Sequence, residues 1–127
     1  MGEAWVDHPS WELVVEAADT SGRDLETLLL RSCDDELRET RNAQLSTFLT
    51  SLVAFDAVQR LGVEGAAHAG HSLGEYSALT ASGALDFNDS VKLVCESGIA
   101  DPFWGGGKHH NFTVCNSTWP FFVLCCW

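Results

Sequence analysis

Gly70-His71-Ser72-Leu73-Gly74 places a serine at the centre of a G-x-S-x-G pentapeptide. Such a serine is either a nucleophile on a strained strand-to-helix turn or an ordinary serine in a glycine-rich turn. The nucleophile reading requires a strand before the pentapeptide and a helix after it. It also requires small neighbours that tolerate the tight backbone, a role open to Gly70 and Gly74. A serine so placed sits at a helix N-terminus, where backbone N–H groups stabilise an oxyanion. The N–H of Leu73, the next residue, is the candidate donor, and Ser72 is the candidate nucleophile.

A serine hydroxyl also needs a base. The chain has five histidines, at 8, 68, 71, 109 and 110. His71 adjoins the serine on a turn that points it away, which fits a structural or substrate-contacting group better than a base. His68 lies two residues further back on the expected strand, and His8 falls in an expected loop. His109 and His110 belong to a compositionally distinct tail. No histidine stands out as the base.

The elements that must position the serine follow from apolar spacing. Trp11, Leu13, Val14 and Ala17 form one face of a helix that Pro9 can open and Gly22 can stop. Leu25, Leu28 and Leu29 predict a short helix, and Asp34, Asp35 and Glu36 interrupt it or open another turn. Leu45, Phe48, Leu49, Leu52, Val53 and Ala57 predict a long, well-buried helix with Gly62 just past its end. Residues 63–69 read as one strand, buried on both faces and needing parallel neighbours. Residues 75–81 read as helix ending near Gly83. Asp86 and Asp89 suit a capping-box variant for a last helix with Val91, Leu93 and Val94 inward. Helices around a strand that feeds a serine turn point to an α/β architecture.

The 127 residues are 46% hydrophobic and 20% charged, as in a globular protein, with a net charge of -11. That charge argues against nucleic acid as a partner. No apolar run is long enough to span a membrane and no secretory signal opens the chain, so a cytoplasmic location with reduced cysteines is expected.

Composition breaks between positions 97 and 98. Of the 18 acidic and 7 basic residues, only Asp101 and Lys108 lie beyond it, with three of the 5 Trp. The tail shows no helical period and no sustained alternation. The expected organisation is a partial domain over 1–97 and a tail over 98–127 that is frameshifted or disordered. Among His109, His110, Cys115, Cys125 and Cys126 no closely spaced ligand pair occurs, so no metal site is expected.

"GHSLGEYSAL" and its flanks over residues 1–96 resemble, in order, malonyl-CoA:acyl carrier protein transacylases of the fatty-acid synthesis type. The resemblance implies an incomplete α/β-hydrolase-like acyltransferase core, with the ferredoxin-like small subdomain absent. It implies transfer of malonyl from coenzyme A to the phosphopantetheine thiol of acyl carrier protein through a serine ester. Ser72 would carry the acyl group, Leu73 N–H would hold the oxyanion, and His71 would lie beside the bound thioester. Malonyl-CoA and acyl carrier protein are the implied partners, without a cofactor.

The chain departs from that family pattern. It begins where the family's glutamine-bearing oxyanion loop ends. Ser97 stands at the family's carboxylate-binding arginine, and the general-base histidine and small subdomain fall past the end. The truncated chain is therefore expected to be inactive. The alternatives are an acyltransferase domain fragment of a polyketide or fatty-acid synthase, a serine esterase, or a non-catalytic truncated product.

Overall fold

The computed structural model describes residues 2–97, 112–116 and 119–124, with side chains for 2–33 and 35–96. The expected tail lies mostly outside the described residues. Two short 3-10 turns, Glu3–Trp5 and Pro9–Trp11, lead into α1 (Glu12–Ser21). Gly22 stops α1 at φ 66°, its N–H bonded to Ala18 O, in the left-handed conformation that glycine adopts freely. Asp24 caps α2 (Leu25–Leu30) by accepting from the Thr27 N–H, and Leu25, Leu28 and Leu29 are all buried. Backbone and hydroxyl hydrogen bonds from Thr27 hold the Asp24 carboxyl below its ordinary pKa.

The acidic triplet opens α3 (Asp34–Arg38). The long helix α4 (Thr40–Arg60) buries each of the six apolar residues that its spacing predicts, and Gly62 follows its C-cap at φ 81°. Leu45, Phe48 and Leu49 have no exposed surface and centre the core, which α1, α2 and a later helix complete. The α4 end is fastened to the start of α1. Arg60 Nε donates to Asp56 at 2.6 Å and its guanidinium also meets Glu12. Burial pushes the Asp56 carboxyl up. Hydrogen bonds from Ser10 and Arg60, then the Arg60 and His8 charges, outweigh it and hold the group below its ordinary pKa.

Strand β1 (His68–His71) starts five residues later than the small apolar run predicts. Residues 63–67 are exposed and outside regular structure. The strand is not buried on both faces: its residues alternate between half-buried and exposed. Nor is its described partner parallel. β2 (Phe112–Asn116) pairs with it antiparallel, His68 opposite Cys115 and His71 opposite Phe112. β3 (Trp119–Leu124) pairs antiparallel with β2, giving the order β1-β2-β3. The sequence predicts neither tail strand: neither shows a sustained local alternation, and β2 pairs with β1 across more than forty positions.

After β1 come α5 (Leu73–Ala81) and α6 (Phe87–Ser97). The Asp86 carboxylate accepts from Asn88 N at 2.9 Å and from Asp89 N at 3.3 Å, the expected cap. Asp89 does not complete a capping box with Asp86 among the described bonds; its carboxylate meets Lys92 Nζ at 3.3 Å. Val91 and Val94 are fully buried, but Leu93 is 41% exposed, because it falls off the face they share. Hydroxyls lock the two helices together: Thr80 Oγ1 lies 2.6 Å from Ser90 Oγ, and Ser90 is fully buried.

Candidate active site

The G-x-S-x-G pentapeptide forms the junction between β1 and α5. Ser72 follows the last strand residue and precedes the first helical one, with φ 55° and ψ -120°. It is the one non-glycine residue with positive φ among the described residues. A side chain held there stores about 1–3 kcal/mol of backbone strain, which the surrounding structure must sustain. Ser72 is exposed, so the strain presents its hydroxyl rather than burying it.

Close packing explains why the turn holds. A Cβ added to Gly70 would lie 1.8 Å from Gly74 O, 2.1 Å from Gly74 C and 2.7 Å from Glu75 N. The strand therefore touches the backbone of the first helical turn, and only glycine fits. The same requirement does not extend to Gly74. A Cβ there meets nothing within 4 Å, so the second glycine of the motif is not demanded by packing among the described residues. The turn is closed by Glu75 N–H donating to Ser72 O at 2.9 Å.

Leu73 is the first residue of α5, so its N–H has no acceptor within the helix. It points with the positive end of the helix dipole, as an oxyanion donor must. His71 ends β1 with an exposed side chain, beside Ser72 in the chain. Glu75, in the first turn of α5, is only 7% exposed. Sequence reasoning passed over this buried carboxylate; its signal was an acid three residues after the serine, at a first-turn position.

The other histidines have other work. The His68 ring packs edge-on against Phe55 of α4, centroids 5.1 Å apart at 87°. It also covers Gly65, where a Cβ would stand 2.8 Å from the ring. His8 caps the second 3-10 turn by accepting from Ser10 N. Neither ring is hydrogen-bonded to Ser72 among the described residues. His109 and His110 lie outside the described residues, as does the Ser97 side chain at the end of α6. No group of three or more His, Cys, Asp or Glu side chains suited to a metal occurs among the described residues. No described helix is long and apolar enough to cross a membrane.

Residues of α4, β1 and α5 line an open groove of about 420 Å³. Its lining includes apolar Leu52, Phe55 and Ala78 together with His68, Gly74 and Ser77. Ser72 is not part of its lining.

Residues 11–108 match the acyl transferase domain family, a span that crosses the compositional break at position 97. A malonyl CoA-acyl carrier protein transacylase from Bacillus subtilis is 40% identical over 95 residues, covering 71% of this chain and 24% of the relative. The malonyl CoA-acyl carrier protein transacylase of Clostridium perfringens superposes with a TM-score of 0.66 at 35% identity, over 74% of this chain and 30% of that one. A malonyl-transacylase solved in complex with a type II polyketide acyl-carrier protein gives a TM-score of 0.66 at 34% identity, over 71% and 29%. The chain thus spans about a quarter of the length of the curated relatives it matches.

Proposed function

The chain belongs to the acyl transferase domain family, and we propose that Ser72 is the residue that carries malonyl from coenzyme A to acyl carrier protein. The carrying observation is the strained serine at φ 55° between β1 and α5, held by the contact of Gly70 with Gly74. In this reading Ser72 Oγ attacks the thioester carbonyl of malonyl-CoA. The carbon–sulfur bond breaks, the coenzyme A thiol leaves with a proton, and an ester forms on the serine. The phosphopantetheine thiol of the carrier then attacks that ester, and the proton returns to Ser72 Oγ. Leu73 N–H stabilises the oxyanion of both tetrahedral intermediates, and His71 flanks the bound acyl group. The base is a group other than His8 and His68, whose rings are engaged elsewhere. No cofactor enters this chemistry.

Several features support the wider assignment to an α/β-hydrolase-like acyltransferase core in fatty-acid synthesis, acting without nucleic acid or membrane. The strand–serine–helix junction is one. The names of the matched relatives are another. An acyltransferase of polyketide synthesis is the second reading, favoured by the neighbour bound to a polyketide carrier.

The test is a graft. Residues 11–96 replace the matching segment of the Bacillus subtilis transacylase, and malonyl transfer to carrier protein is measured. Transfer that Ser72→Ala reduces about 10⁴-fold or more supports the reading. A folded graft that transfers no malonyl, or one whose Ser72→Ala variant transfers it equally well, refutes it.

A further inference from the structure

The motif's second glycine stands where the described fold does not call for one. Gly74 lies inside α5 without positive φ, and a Cβ there meets nothing within 4 Å. A glycine inside a helix weakens it relative to alanine, so the space beside Gly74 comes at a cost in stability. That space belongs to the groove of about 420 Å³, which Gly74 lines together with Ser77 and Ala78 of α5 and Leu52 and Phe55 of α4. Glycine in such a place marks the close approach of a ligand or of another backbone.

Two features favour a backbone. Ala67, His68 and Ala69, at the start of β1, also line the groove. β1 ends the order β1-β2-β3, so β2 covers one of its edges and no described strand covers the other. An uncovered strand edge offers a row of backbone N–H and C=O groups to an added strand. Among the described residues no Asp, Glu, Lys or Arg lines the groove. It therefore suits neither the malonyl carboxylate nor the phosphates of coenzyme A, which need a cationic partner when taken out of water. It suits an uncharged extended segment with small or apolar side chains. The chain aligns with 24% of the Bacillus subtilis transacylase and superposes on 30% of the Clostridium perfringens one, so most of each relative lies outside the match. We propose that the groove and the open edge of β1 seat an extended strand from that remaining part of an acyltransferase domain, with Gly74 leaving room for the strand's backbone. Seating of this kind is independent of whether Ser72 carries malonyl.

Gly74→Ala tests the seat in two settings, the full chain and the Bacillus subtilis transacylase carrying residues 11–96, both read by urea unfolding. In the full chain the methyl enters open space, and the midpoint stays or rises. In the graft it meets the seated strand, and the midpoint falls. A midpoint that holds or rises in both settings overturns the proposal. So does a graft of unchanged midpoint whose KM for malonyl-CoA rises, which puts substrate in the groove instead of backbone. Amide hydrogen exchange is the second measurement. N–H groups alternate along a strand, so one of the Ala69 and Gly70 amides faces β2 and the other faces away. The outward amide is expected to exchange freely in the full chain and to be protected in the graft. Equal protection of that amide in the two settings contradicts the seat.

Discussion

Replacing Gly70 by alanine puts a methyl group into the backbone of α5. Its Cβ would sit 1.8 Å from the Gly74 carbonyl oxygen and 2.1 Å from the carbonyl carbon. Atoms in contact across a packed interior stand about 3.5 Å apart or more, so strand and helix must separate by well over an ångström. Flexible side chains can swing aside, but these neighbours are all backbone. Overpacking in a core typically costs about 1–3 kcal/mol, and this site belongs at or beyond the upper end. Gly74→Ala is the matched control. It adds the same methyl where nothing lies within 4 Å, at a helical position without positive φ. Exchanging glycine for alanine inside a helix favours folding by about 0.5–1 kcal/mol. Urea unfolding followed by circular dichroism at the helix band reads both variants. The expected order is Gly74→Ala at or above the parent and Gly70→Ala at least about 3 kcal/mol below it, or unfolded. Equal stabilities, or the reverse order, would mean that β1 does not pack on α5 as described.

Ser72→Gly should relieve the strain at φ 55° and raise stability by about 1 kcal/mol in the same urea experiment, while the graft loses transfer. Phe48→Ala should lower stability by about 3–5 kcal/mol, because the ring has no exposed surface at the centre of the core. Asp56 ionises at lower pH in the folded chain than in the unfolded one. Its stabilisation is full above the unfolded carboxylate value of about 3.9 and is lost as pH falls through the folded value. Asp56→Asn should therefore flatten the acid limb of a stability–pH curve, and an unchanged limb would count against the Ser10 and Arg60 hydrogen bonds. Burial raises the Cys95 thiol pKa against the opposing Arg23 and Arg41 charges, so iodoacetamide should modify exposed Cys33 well before Cys95.

The helical part of the fold was legible because its signals are local. The recurrence of Leu45, Phe48, Leu49, Leu52, Val53 and Ala57 names the buried face of α4, and Gly62 marks its end without reference to any other element. The serine turn was legible for the same reason: Gly70 and Ser72 reveal a contact between residues four apart. Gly74 misled, since a motif fixes residue types but not which of them must lack a side chain. Strand β1 was misplaced because residues 63–67 are, apart from Glu64, small and apolar, and hydrophobicity alone does not say where pairing begins. That is decided by β2, far along the chain. Leu93 was misassigned because a run of apolar residues on α6 is wider than the face that Val91 and Val94 bury.

The central claim, that the β1–α5 junction presents Ser72 as the acyl carrier, is tested most directly by finding the acylated atom. The graft bearing residues 11–96 is mixed with malonyl-CoA without carrier protein, quenched in acid and digested, and the peptides are sequenced by tandem mass spectrometry. Malonyl on Ser72, absent from Ser72→Ala, is the predicted result. Malonyl on another residue, or none on a folded graft under conditions that acylate the parent transacylase, contradicts it.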